Sequence, residues 1–192
     1  TRLAAVLATT LAVGCSCNQD YSFPPVEGQT FDPPTDFGSW LAMRTAPDGQ
    51  RLTISYYDRD RTGFGFAVGT PQADDTVVWV HERIDGYPDQ DGIDRGDRGK
   101  YGTHQVAPDG TVYAAYQDTT NGALRGAIRR GTGNWEHVQI DAGLGVTSSN
   151  AGNWIAMTIL PTGLPLVAHA DLAGNALRVS RYCSGWRRIS QA

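Results

Sequence analysis

Four aspartates crowd a short stretch of the chain, Asp89, Asp91, Asp94 and Asp97, with Gly92 among them to permit a sharp turn. Carboxylates this close could supply the hard oxygen ligands that Ca²⁺ takes. An EF-hand would also place a glutamate at the end of a longer loop, and no glutamate stands there. A solvated loop is the commoner role for so polar a stretch, and titration calorimetry with Ca²⁺ separates the two readings. Within it, Arg95-Gly96-Asp97 matches an integrin-binding tripeptide, a string short enough to be incidental. His81 and His137 each stand two residues after a tryptophan, so they read as a repeated surface or inter-strand feature rather than as ligands of a shared ion. His104 and His169 are isolated. Asp58, Asp118 and Asp171 fall where strands would enter turns, a place where aspartate bonds nearby backbone. Glycoside hydrolysis needs two carboxyl groups converging on one bond. No such pair, phosphate-binding glycine loop or Ser-His-Asp set can be picked out, and no residue is assigned a catalytic or cofactor-binding role.

The elements that would position these residues emerge from self-comparison, because a fixed period reveals architecture more reliably than local propensity. Three units begin at Gly38-Ser39-Trp40, Gly99-Lys100-Tyr101 and Gly152-Asn153-Trp154. Each start is followed at one fixed distance by a turn: Ala46-Pro47-Asp48-Gly49, Ala107-Pro108-Asp109-Gly110 and Leu160-Pro161-Thr162-Gly163. Proline second and glycine fourth match type I turn chemistry. A short apolar run then ends in Tyr56-Tyr57-Asp58, Tyr116-Gln117-Asp118 or His169-Ala170-Asp171, with a small residue (Ser55, Ala115, Ala168) just before. A second turn, another strand-like run and a late tryptophan follow, and the first two units close with Ile84-Asp85 and Ile140-Asp141. All five tryptophans occupy one of two repeat positions.

Four strands in about fifty residues is the size of a propeller blade. A single such sheet has two faces to cover and cannot bury both alone, whereas stacked blades can. The recurring tryptophan and the recurring small residue are then expected to act as large and small partners across neighbouring blades. From Gly38 to about Trp186 the arrangement resembles bacterial propeller repeats described as sialidase-like or BNR-like. The Ser-x-Asp-x-Gly-x-Thr-Trp box of true sialidases is absent, Gly131-Thr132-Gly133-Asn134-Trp135 being a faint echo. The predicted fold is all-β, a partial β-propeller of four-stranded antiparallel blades over residues 38–98, 99–151 and 152–192, two complete and one incomplete. Rings typically need four to eight blades, so a piece of a longer chain is expected, with assembly of several copies as the competing expectation.

Residues 1–14 carry one charge, Arg2, and otherwise small or apolar side chains, the pattern of the apolar part of a secretory signal. Leu11-Ala12-Val13-Gly14-Cys15 resembles the lipobox of bacterial lipoproteins, which implies lipidation of Cys15 and attachment to the outer membrane or cell surface through acyl chains rather than a spanning helix. Residues 15–37 are polar and proline-rich and read as a tether, or as a strand paired on the folded body. Cys17 and Cys183 lie far apart in sequence, and no disulfide is predicted. The formal charge of the whole chain is −4, which disfavours nucleic acid as a partner. These readings predict a surface-exposed lipoprotein module that binds a protein or a glycan and is not an enzyme. The alternative is a sialidase-like glycoside hydrolase with catalytic residues partly outside this chain. Calcium at the aspartate loop is the one cofactor the sequence suggests.

Overall fold

The computed structural model describes residues 37–86, 95–143 and 150–191. Among them are twelve strands in three four-stranded antiparallel sheets, each a simple meander. The first sheet holds β1 (Phe37–Thr45), β2 (Leu52–Asp58), β3 (Gly63–Pro71) and β4 (Val77–Asp85). The second holds β5 (Arg98–Val106), β6 (Val112–Asp118), β7 (Ala123–Arg129) and β8 (Glu136–Asp141). The third holds β9 (Ala151–Ile159), β10 (Pro165–Asp171), β11 (Ala176–Tyr182) and β12 (Trp186–Gln191). The fold is all-β with partial propeller blades, as the repeats predict. The unit expected to be incomplete has all four strands; it lacks the Ile-Asp ending of the other two, with Gln191-Ala192 in that place.

Local chemistry explains the meanders. In the first turn of each sheet the fourth residue bonds back to the first, Gly49 N to Ala46 O at 2.9 Å, and Gly110 N to Ala107 O and Gly163 N to Leu160 O at 2.8 Å. These glycines have φ of +68°, +83° and +79°, the left-handed conformation that closes a type I hairpin loop. In the second turn the buried aspartate accepts the amide three residues on: Asp58 from Arg61 at 3.2 Å, Asp118 from Asn121 at 3.0 Å and Asp171 from Gly174 at 3.2 Å. The turn-forming role expected of these carboxylates is what they perform.

Alternation along the strands then builds two seams. Every residue of β6 is buried. Val112, Ala114 and Tyr116 meet Phe64, Phe66 and Ile84 of the first sheet, while Tyr113 and Ala115 share a core with Met157 and Val167 of the third. Phe64 lies against Tyr116 with ring centroids 5.0 Å apart. The late tryptophans of the second and third sheets pack across the seams as expected. Trp135 meets Phe66 edge-on at 5.5 Å and donates from Nε1 to Glu82 at 3.2 Å, and Trp186 packs on the core shared by the second and third sheets. The early aromatics do something else: they line up with one another along β1, β5 and β9, which run side by side.

Candidate binding groove

Each first strand begins with a glycine in left-handed conformation: Gly38 at φ +101°, Gly99 at +116° and Gly152 at +88°. Two residues later Trp40, Tyr101 and Trp154 are also left-handed, at φ 51°, 54° and 47°. The ladder slips there, between Ser39 and Ala42 in β1 and between Lys100 and Thr103 in β5, and the same slip separates Asn153 from Ala156 in β9. This repeated bulge turns the aromatic out of the sheet. Left-handed backbone at a non-glycine residue costs about 1–2 kcal/mol, and strain of this kind persists where the surroundings impose it, often at functional sites. One surrounding constraint is visible at Gly99, where a Cβ would stand 2.7 Å from Cβ of Phe64.

The three rings form a row. Trp40 and Tyr101 have centroids 5.1 Å apart, and Tyr101 and Trp154 5.8 Å apart. Trp40 rests edge-on upon buried Tyr57 at 5.3 Å, whereas Trp154 at the far end is 63% exposed. The row borders a groove of about 360 Å³ whose walls include Met43, Arg44 and Thr103. Arg44 donates to its neighbour Met43 O at 2.7 Å and reaches Thr103 Oγ1 at 3.4 Å. Its guanidinium, with five N–H donors in all, lines the groove.

Beneath Thr103 the seam is polar. His104 is fully buried, with Nε2 2.7 Å from Thr53 Oγ1 and Nδ1 2.9 Å from Ser55 Oγ. Burial, and then the charge of Arg44, hold its pKa down to about 3, so the imidazole is neutral. At the groove's other end Tyr57 donates to Asp97 Oδ1 at 2.7 Å, and Lys100 closes on the second oxygen of the same carboxylate. Burial, followed by that bond, raises the Tyr57 pKa.

The remaining buried carboxylates serve the seams. Asp85, which closes the first sheet, accepts from Tyr116 at 2.7 Å and from Arg98 at 3.0 Å to both oxygens. Asp141, which closes the second, accepts from Arg178 at 3.1 and 3.2 Å and from Arg188 at 3.2 Å, with His169 Nε2 at 3.5 Å. Burial works against ionisation of both, but the tyrosine bond and Arg98 at Asp85, and the His169 bond, the Gly143 amide and the arginines at Asp141, hold both pKa values below the usual carboxylate range. Among the described residues no carboxylate lines the groove, so no pair converges there as glycoside hydrolysis requires.

Of the residues singled out from sequence, Cys15, Asp89, Asp91 and Asp94 lie outside the described residues. Asp97 is described, and its oxygens are taken by Tyr57 and Lys100. Among the described residues no three His, Cys, Asp or Glu side chains are placed to share a metal ion. Sequence reasoning missed Arg44. The threefold Gly-x-aromatic start, recurring at one repeat position, is the sequence signal that points to the row.

No protein-family model matches the chain, and no curated protein matches it. Among solved structures, an exo-β-1,3-galactanase from Clostridium thermocellum resembles it at 10% sequence identity with a TM-score of 0.49. The alignment covers 81% of this chain but 36% of that one, so the chain spans little more than a third of the galactanase. At this level the likeness carries no argument about the chemistry of the groove.

Proposed function

We propose that this protein is a propeller-type binding module, not an enzyme, that takes a glycan on the aromatic row, and that Cys15 tethers it by lipid to the outer membrane or cell surface. The observation that carries the reading is the row itself: three aromatics at one repeat position, each in a costly backbone conformation, in contact with one another and open along one side. A pyranose ring has an apolar C–H face that an aromatic ring covers well, and consecutive sugars of a chain present such faces in series. Arg44 and Thr103 supply polar groups that fix orientation beside the aromatic row. Buried carboxylates committed to seams and turns support binding without hydrolysis.

A glycan array followed by affinity electrophoresis on the hits tests this, using the intact chain and Trp154→Ala. Retention by at least one polysaccharide, weakened tenfold or more by the substitution, is the expected result. A chain that binds no glycan, or binds equally well without Trp154, overturns the reading. Release of product from a fluorogenic glycoside panel would overturn its non-enzymatic part. Mass spectrometry of membrane-extracted protein, with Cys15→Ala as control, tests the anchor.

A further inference from the structure

The two seams define what each blade face needs, and the outer faces of the array differ from them in a matched way. On the face turned toward a preceding blade, the second and third sheets carry Arg125 and Arg178, and these arginines address Asp85 and Asp141. In the first sheet the same place is Gly65, because Tyr56 pairs with Gly65 as Tyr116 pairs with Arg125 and His169 with Arg178. The Tyr56 ring lies across that glycine, where a Cβ would come within 2.4 Å of it. An apolar hollow of about 300 Å³ results, lined by Leu41, Ile54, Tyr56, Ala67 and Trp79. Leu41, 63% exposed, has as its counterparts Gly102, whose Cβ would fall on the Phe64 ring, and Ile155, which packs on the seam core.

The opposite outer face offers the complementary knob. Phe64 and Leu124 are fully buried in the following blade, and their counterpart in the third sheet is Leu177, which is 54% exposed. The first seam seats Phe64 against Tyr116 of the next sheet and the second buries Leu124 in a core with Met157, Val167 and Ile155, and the array presents both halves of one more such seam with the arginine removed.

We infer that a second copy of this chain docks its first sheet onto the third sheet of its neighbour, Leu177 seating in the hollow formed by Leu41, Tyr56 and Trp79. The contact continues the packing already present at the two seams. It is head-to-tail, and two copies together supply six blades, within the four to eight of a closed propeller ring, so the same contact repeated about a two-fold axis closes at a pair. It also sets the incoming copy's Trp40 beside Trp154, prolonging the aromatic row from one copy to the next. The association stands apart from the ligand of the groove and can succeed or fail independently of it.

Sedimentation velocity over a range of concentrations tests the contact on the intact chain. The unmodified protein is expected to pass from monomer to a closed dimer as concentration rises. Leu41→Asp and Leu177→Asp each place a charge on one exposed half of the contact, with folding checked by circular dichroism. Each variant alone is expected to remain monomeric. An equimolar mixture keeps one intact contact of the two and should form a one-to-one dimer weaker than that of the unmodified chain. A wild-type chain that stays monomeric, variants that still self-associate, or a mixture that does not pair would each overturn the inference, including the case in which another segment of a longer chain covers these faces.

Discussion

The Tyr116 hydroxyl donates to Asp85 across the first seam at 2.7 Å, and His169 stands in the same repeat position against Asp141 across the second. The last residue of one sheet is therefore held by the middle of the next, with Arg98 completing the first site and Arg178 the second. Such a carboxylate is costly to leave alone, because it is desolvated whether or not its partners remain.

Removing one partner of this site should be unequal in effect. Asp85→Ala takes the Asp85 acceptor from Arg98, which keeps Asp118, and from the Tyr116 hydroxyl, which keeps His137, and is expected to destabilise the protein by about 3–5 kcal/mol. Tyr116→Phe leaves the carboxylate still bound by arginine and should cost about 1–3 kcal/mol. Urea unfolding of the two variants checks both the size and the order.

Acid should weaken the fold before ordinary carboxylates titrate. His104 takes up a proton near its usual value of 6.5 when unfolded but at about 3 when folded. Between those values the unfolded chain binds more protons, so stability is full above 6.5 and declines as pH falls toward 3, by up to about 1.4 kcal/mol per pH unit. Asp85 and Asp141, with depressed folded pKa values, add a further loss once pH drops below 3.8. His104→Gln is expected to flatten the slope between pH 6 and pH 4 (both about one unit inside the window) in unfolding curves taken at each pH.

The row should trade stability for binding. Trp154→Gly removes an indole that is largely in solvent and relieves a left-handed backbone worth about 1–2 kcal/mol. Thermal unfolding is expected to stay level or rise, while glycan retention is lost. Trp135→Ala, by contrast, opens the first seam and should cost about 3–5 kcal/mol.

Two glycines of the same conformational class should respond differently to alanine. At Gly110 a Cβ meets nothing within 4 Å, so the cost is that of the backbone alone, about 1–2 kcal/mol. At Gly99 the methyl would strike the Phe64 backbone, with Cα at 2.9 Å, and the loss should clearly exceed that at Gly110. Denaturation midpoints of the two variants decide the comparison.

Much of the fold was legible because its signals are local. Pro47-Asp48-Gly49 and Pro108-Asp109-Gly110 encode their own turns, and Asp58, Asp118 and Asp171 bond amides three residues away. The large partner at the seam could be read from Trp135 and Trp186 because tryptophan recurs there. The groove was less legible, since residue type does not encode a positive φ at an aromatic. Arg44 has no repeating signal at all: Gln105 and Thr158 occupy its place in the other units. The seam beneath varies likewise, with Thr53, Ser55 and His104 at one interface and Tyr113, Ala115 and Met157 at the other. Polar and apolar sets fill the same volume, so a repeat search sees only difference.

The complete burial of β6 makes the central sheet a keystone. A lesion in Val112–Asp118 loosens both neighbours together, the first sheet through Tyr116 and the third through Ala115. Tolerance to sequence drift should accordingly be narrow in β6, where two other sheets answer to one strand.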